Sequence, residues 1–332
     1  MREVAALAGV SLKTVSRVVN REPGVSDDLV RRVQAAAAEL DYRHDLTAST
    51  LRRSDRKSAT LGLLIEDVAN QFFSAVHRGI EEVARAHGVA VFAASVDGDA
   101  DRERELVLAF SQRRVDAIII SPTSHEQSEL AHEQHGGLAV VCIDREPIGV
   151  DADLVVTDNR AGAALATAHL IAHGHERIAF VGDYRRISTA ERRYEGFIDA
   201  MGAAGLEVDP VLVRRDADSD VSASVIVTAL MALPNPPTAI FGAQNLITMG
   251  AARALHQLGL HHRIALIGFD DFSMADALEP AITVVAQDPL TIGRTAAELA
   301  FARIDDPDLP TAHVVVPSTL VIRGSGEIPP VR

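Results

Sequence analysis

VAALAGVSLKTVSRVVN, running from Val4 to Asn20, is the stretch whose reading decides the N-terminal fold. Arg2 to Ala8 predicts a short helix with Val4, Leu7 and Ala8 at core-facing spacing, and Gly9 breaks it. Gly9-Val10-Ser11 reads as a tight turn in which Ser11 caps the next helix. That second helix, Leu12 to Asn20, has Val15, Val18 and Val19 at i, i+3, i+4 on one apolar face. Leu12, Lys13, Ser16 and Arg17 share the opposite face. A third helix starts at Ser26 as its cap, with Asp27 and Asp28 at the positive end of its dipole. Its stripe of Leu29, Val33, Ala36, Ala37 and Leu40 completes a small core. Two short helices joined by a glycine-containing turn, backed by a third, make a helix-turn-helix unit. Lys13 and Arg17 are long enough to reach base edges or phosphates in a major groove. The plainer alternative is a three-helix bundle whose basic residues are merely solvated.

The rest of the chain bears on that choice through its charge. Its 332 residues hold 46 Asp+Glu against 32 Lys+Arg, a net of −14, which would ordinarily argue against nucleic acid. The balance is uneven. Residues 1–58 carry 11 basic and 8 acidic side chains, a net of +3, and include both lysines, Lys13 and Lys57. The remainder is at −17. With 47% hydrophobic and 23% charged residues the composition is globular, and the length implies about two or three domains. The lone Cys142 excludes a disulfide framework and a cysteine metal cluster, as expected of a reduced, cytoplasmic protein. No apolar run approaches the roughly 18–20 residues of a membrane span, so no membrane partner is expected.

Val4 to Asn20, followed by GVSDDLVRRVQAAAAELDY (Gly24 to Tyr42), closely resembles the headpiece of the LacI/GalR family of bacterial transcription regulators. The resemblance implies that Leu12, Lys13 and Arg17 occupy base-contacting positions. Thr14, Ser16 and Asn20 match positions that touch the DNA backbone or cap the motif. Leu46 to Arg53 (LTASTLRR) resembles the family's hinge helix, with Leu51 at the position of the leucine inserted into the minor groove. Such a wedge unstacks one base step and kinks the duplex. The alternative is an ordinary linker, which the polar run Ser54 to Ser58 favours.

From Thr60 the periodicity changes. Short apolar strands are expected at Leu61–Ile65, Ala90–Ser95, Ala117–Ser121, Ala139–Ile143, Ile178–Gly182, Val211–Arg214, Ala239–Gly242 and Ala265–Phe269. Amphipathic helices such as Phe73–His87, Asp101–Arg113, Gly162–His173 and Thr189–Ala204 lie between them. This alternation predicts parallel sheets covered on both faces, divided into two doubly wound subdomains. Thr283–Ala286, His313–Val316 and Leu320–Arg323 add strands that could cross between the halves. The expected architecture is thus an all-α headpiece (1–45), a hinge and linker (46–59) and a two-part α/β core. Its N-terminal subdomain would take 60–156 with 289–316, and its C-terminal subdomain 157–288 with 317–328. The resemblance implies a periplasmic-binding-protein-like type I core.

Such a layout puts ligands between the subdomains, at the C-terminal ends of strands. The polar and aromatic candidates there are Asn70, Phe72, Phe73, Asp144, Arg145, Gln244, Asn245, Asp270, Asp271 and Gln287, with Arg193 on a following helix. Aromatic faces with carboxylates, amides and guanidinium groups suit a small polyol, whose buried hydroxyls must all be paired. All of these except Gln244, Asn245 and Asp271 fall on ligand positions that the family resemblance implies. Where the family commonly has an Asn-Asp pair, this chain has Gln244-Asn245. A pentose- or hexose-like sugar is expected, with a purine as the alternative.

Phosphate loops and the G-x-S-x-G elbow are absent, so no cofactor and no catalytic residues are expected. His169, His173 and His175 could suggest a metal site, but Gly174 interrupts the spacing, and structural histidines are the better reading. The expected function is a ligand-responsive repressor of sugar-utilisation genes, bound as a homodimer to a near-palindromic operator on the nucleoid. Only nine residues follow Arg323, Pro329 and Pro330 among them, which favours a dimer over a tetramer. A sugar-binding protein without a regulatory role, an α/β sugar enzyme, a purine-dependent corepressed regulator and an activator are the competing readings.

Overall fold

Gly9 takes a left-handed backbone (φ 62°, ψ 39°) at the end of α1 (Arg2–Ala8), the conformation that glycine adopts without steric penalty. Helices α2 (Leu12–Val19) and α3 (Asp27–Glu39) follow. The computed structural model describes residues 1–19, 24–42, 58–123 and 126–330, and the chain divides into two units, Met1–Ser58 and Ala59–Arg332. In the first unit Ser11 Oγ accepts the Thr14 N–H at 3.1 Å, the expected cap of α2. Ser26 stands at the N-cap of α3, but its side chain makes no capping bond, contrary to expectation. Val4, Ala5, Ala8, Val15, Val18, Val33 and Ala36 form the core.

Three expected core residues are outside it: Leu29 is only half-buried, α3 turning Val33 and Ala36 inward instead, and Leu7 and Leu40 are exposed. Leu7 is exposed because α1 turns Val4, Ala5 and Ala8 inward. Leu40 is exposed because it is the C-cap of α3 (φ −92°, ψ 6°), past the end of the helical stripe. Arg32 Nη2 donates to the Ala8 carbonyl at 2.7 Å, tying the C-terminal end of α1 to α3.

The second unit holds two six-stranded sheets. The first has the order β11-β5-β4-β3-β1-β2, from β1 (Thr60–Ile65), β2 (Ala90–Ser95), β3 (Ala117–Ile120), β4 (Ala139–Ile143), β5 (Asp153–Thr157) and β11 (His313–Val316). The second has the order β12-β10-β9-β8-β6-β7, from β6 (Ile178–Val181), β7 (Val213–Arg214), β8 (Ala239–Gly242), β9 (Ala265–Phe269), β10 (Thr283–Ala286) and β12 (Thr319–Val321). Strands β3, β4, β8 and β9 are buried throughout, as apolar runs covered on both faces must be. All pairings are parallel except β10 with β12.

Two strand expectations need correction. β5 was not foreseen: Asp153–Thr157 has only Leu154, Val155 and Val156 as apolar residues between polar neighbours. The expected strand Val211–Arg214 is only Val213–Arg214, because Pro210–Leu212 forms a 3-10 turn started by a residue with no N–H to give a ladder.

Helices α4 (Gln71–Ala86), α5 (Ala100–Gln112) and α6 (Ser128–His135) belong to the first sheet. Helices α7 (Asn159–Ala172), α8 (Ser188–Ala203), α9 (Asp220–Met231) and α10 (Asn245–Gln257) belong to the second. α11 (Pro289–Asp305) returns the chain to the first sheet and packs on α4, where Gly79 and Gly293 face the other helix's backbone so closely that a Cβ on either would collide with it. The chain thus passes between the sheets three times, at residues 157–159, 286–289 and 316–319. These crossings are stitched together: Thr157 Oγ1 donates to the Val316 carbonyl at 3.1 Å, and Ser318 donates through N and Oγ to Asp158 Oδ1 at 2.9 and 2.7 Å. Such a three-strand waist leaves a cleft between the two sets of strand ends.

Candidate functional site

The cleft holds a cavity of about 370 Å³ whose walls come from both sheets. From the first sheet, the segment after β1 brings Glu66, Asn70, Phe72 and Phe73, and β4 is followed by Asp144 and Arg145. From the second come Gln244 and Asn245 after β8, Asp270 after β9, Gln287 after β10 and Arg193 on α8. Ten of the eleven expected candidates therefore line one cavity. Asp271 does not; it turns into a bidentate pair with Arg323 at 2.7 and 2.6 Å.

Asp144 and Asp270 occupy matching places in the two sheets. Each follows the third strand from β11 or β12, takes a left-handed backbone (φ 63° and 69°), and donates its N–H to the next strand, at Val155 or Val285. Strain of this kind persists only where surroundings enforce it, and it turns both carboxylates toward the cavity. Burial pushes the Asp144 carboxyl above the usual range, outweighing Arg145 and Arg193, which pull it down. Burial also raises Asp183, on the segment following β6.

The guanidinium groups are held by protein partners. Arg145 Nη1 lies 2.7 Å from Glu66 Oε2, and its Nε 3.6 Å from Asp144 Oδ2. Arg193 Nε donates to Asn159 Oδ1 at 2.7 Å and Nη1 to the Ala243 carbonyl at 2.8 Å. Its guanidinium stands 3.9 Å over the Phe269 ring and 3.6 Å from Asp270. Gln287 Nε2 donates to Asp270 Oδ1. Gln244 Oε1 is buried without a hydrogen-bond partner among the described residues. Across the cleft, Asn70 and Asn245 are bonded side chain to side chain.

Sequence reasoning missed several wall residues: Glu66, Asp67, Asp97, Asp183, Tyr184, Arg186, Thr189 and Asp218. Glu66, Asp97 and Asp183 follow strands directly or nearly so, so the strand-end rule would have found them if applied to every strand. Thr189 lies one helical turn before Arg193, which is the signal that points to it.

On the first unit, Leu12 and Lys13 are exposed on α2, while Thr14, Ser16 and Arg17 are half-buried. Thr14 is engaged by Ser11, Oγ1 to Oγ at 2.9 Å. Asn20, the expected hinge helix and Leu51 lie outside the described residues.

The histidines have structural partners. His169 Nε2 meets Glu327 at 2.6 Å, and His175 bridges Thr238 Oγ1 at 3.0 Å and the Ile328 carbonyl at 2.8 Å. Among the described residues no three His, Cys, Asp or Glu side chains are arranged to hold a metal, and no helix is long and apolar enough to cross a membrane. Cys142 is fully buried, and burial raises its thiol pKa, which disfavours the reactive thiolate.

Comparison with known proteins adds the following. A family described as "Bacterial regulatory proteins, lacI family" matches residues 1–45, and one described as "Periplasmic binding protein-like domain" matches residues 167–326. The ribose operon repressor of Halalkalibacterium halodurans is 32% identical over 325 residues, covering 97% of this chain and 96% of that protein. A LacI family transcriptional regulator from Enterococcus faecium, solved with bound ribose, superposes with a TM-score of 0.75 at 25% identity over 82% of this chain and 100% of that one. The lac repressor dimer bound to operator and the anti-inducer ONPF gives a TM-score of 0.85 at 24% identity, covering 97% of each chain, a likeness of fold.

Proposed function

We propose, from the premise that this chain belongs to the lacI family of bacterial regulatory proteins, that a pentose or hexose sugar in its cleft controls its grip on DNA. The chain is a DNA-binding transcriptional regulator with a helix-turn-helix headpiece and a ligand-sensing core. The observation that supports the sugar reading is the convergence of aromatic, amide, carboxylate and guanidinium side chains from both sheets on one cavity of sugar-like size.

In this reading the protein is a repressor, works as a homodimer in the cytoplasm on the nucleoid, and catalyses no reaction. Two headpieces occupy half-sites of a near-palindrome, each α2 in a major groove. Leu12, Lys13 and Arg17 read base edges, Thr14, Ser16 and Asn20 fix the helix on the backbone, and Leu51 wedges the central step. A sugar joining the two cleft walls biases the core between two arrangements, and the difference reaches the operator as a coupling of about 1–3 kcal/mol.

The test is a pair of titrations on the full chain. An operator is selected from a random DNA pool, and its affinity is measured by fluorescence anisotropy with and without each of a panel of pentoses and hexoses. A sugar that changes operator affinity by about fivefold or more supports the reading. Operator binding that no sugar alters, with a purine base altering it instead, would overturn the sugar assignment.

A further inference from the structure

We infer that the effector is a polyol bearing no anionic group, so that phosphate esters and uronic acids of the same sugar are rejected. The inference rests on the sugar reading above and narrows its chemical class. The cavity wall carries seven carboxylates, Glu66, Asp67, Asp97, Asp144, Asp183, Asp218 and Asp270, against the guanidinium groups of Arg145, Arg186 and Arg193. Arg145 and Arg193 are already engaged by Glu66, Asp144, Asp270, Asn159 and the Ala243 carbonyl. Arg186 stacks 4.5 Å over the Tyr184 ring. An incoming anion would meet excess like charge, with two of the three cations already neutralised.

The hydrogen-bond supply points the same way. Asp144 is about nine-tenths buried, lines the cavity, and its Oδ2 stands 3.6 Å from Arg145 Nε, beyond hydrogen-bond distance, so the ion pair leaves its oxygens able to accept from a ligand. Gln244 Oε1 is a second acceptor without a donor. On the donor side stand Arg145 Nε, buried without a hydrogen-bond partner among the described residues, and the Thr189 hydroxyl on the cavity wall. Hydroxyl groups, which both donate and accept, satisfy this mixed set. A phosphate dianion or a carboxylate only accepts, so wherever it replaces a hydroxyl beside Asp144 or Gln244 it sets acceptor against acceptor. Discrimination of this kind arises from repulsion and unpaired groups.

Isothermal titration of the full chain with matched compounds tests it: D-ribose against ribose 5-phosphate, D-glucose against glucose 6-phosphate, D-galactose against galacturonate, and adenosine against adenosine 5′-monophosphate. The expected result is that the sugar that binds does so at least about 100-fold more tightly than its anionic derivative. The double variant Asp183→Asn/Asp218→Asn should narrow that gap about tenfold, read as the ratio of the two affinities within the same variant, and an unchanged ratio would overturn the like-charge argument. A phosphate ester or uronate binding as tightly as its parent overturns the inference and leaves the sugar reading intact. Adenosine binding where no sugar binds fails the sugar reading, and the charge rule then stands or falls on adenosine against its monophosphate. If none of these compounds binds, both are overturned.

Discussion

Asn70 and Asn245 exchange two amide hydrogen bonds across the cleft: Asn245 Nδ2 donates to Asn70 Oδ1 at 3.0 Å, and Asn70 Nδ2 to Asn245 Oδ1 at 3.4 Å. Each stands at the N-terminal end of a helix, Asn70 capping α4 and Asn245 opening α10, and each side-chain oxygen also accepts a backbone N–H, from Phe72 at 3.0 Å and Leu246 at 2.7 Å. Two helices from opposite sheets are therefore joined end to end through one amide pair. Asn245→Asp keeps the acceptor for Leu246 and for Asn70 Nδ2 but removes the donor of the 3.0 Å bond. It should lower unfolding free energy by about 1 kcal/mol in urea titration, and Asn245→Ala, which strands the Leu246 N–H as well, by more. Equal stability of all three proteins would mean the pair contributes nothing to closure.

Asp144→Asn should do the opposite to stability. Burial raises the folded-state pKa of this carboxyl above its ordinary value, so at neutral pH the ionised group opposes folding. Removing the charge should raise stability at pH 7. The advantage should shrink on acidification, because the folded wild-type takes up its proton at a higher pH than the unfolded chain and so recovers the lost stability. Differential scanning calorimetry at pH 7, 6 and 5 reads this directly, and a variant no more stable than wild-type at pH 7 would refute it. The same variant should bind the effector about tenfold more weakly, since one charged acceptor oxygen for its hydroxyls becomes an amide donor.

How far all this was legible in the sequence differs by region. The continuous apolar runs, such as Leu61–Ile65 and Ala265–Phe269, announced buried parallel strands, and polar residues just beyond them announced the cleft. β5 was hidden because an edge-proximal strand with three apolar residues has no run to detect. Leu40 misled because hydrophobic spacing locates a face only while a helix continues and it is already past the end of α3, and Leu7 because a seven-residue helix can bury Val4, Ala5 and Ala8 and leave its leucine outside. Left-handed Asp144 and Asp270 carry no sequence signal, since aspartate is common in ordinary conformations too. The amide pair was invisible in another way: residues 175 positions apart meet only through the topology that sets β1 opposite β8.

Arg193 is the most connected of the cleft side chains, and its substitution by lysine tests whether shape or charge matters. Lysine would keep one positive charge near Asp270 but could not reach Asn159 and the Ala243 carbonyl together, nor lie flat on Phe269 as the guanidinium does. Arg193→Lys should therefore cost about 2 kcal/mol in folding stability, and Arg193→Ala, which leaves Asp270 with less compensation, about 3–5 kcal/mol. Both should weaken effector binding. Lysine performing as well as arginine in both measurements would show that only charge is needed there.

The headpiece prediction separates base reading from charge attraction. Lys13 is exposed at the N-terminal end of α2, and Arg17 lies one turn on, half-buried against the unit's own surface. If both read bases, Lys13→Ala and Arg17→Ala should each weaken binding to the selected operator by about 1–3 kcal/mol and relax preference at particular base pairs, while binding to random DNA changes little. Lys57→Ala removes an equal charge from the same basic segment and should lower both affinities alike, reducing the salt slope by about one. Competition anisotropy against random DNA at several salt concentrations distinguishes the outcomes. Parallel losses for all three variants on specific and random DNA would mean that the segment's +3 charge, rather than the face carrying Lys13 and Arg17, holds the duplex.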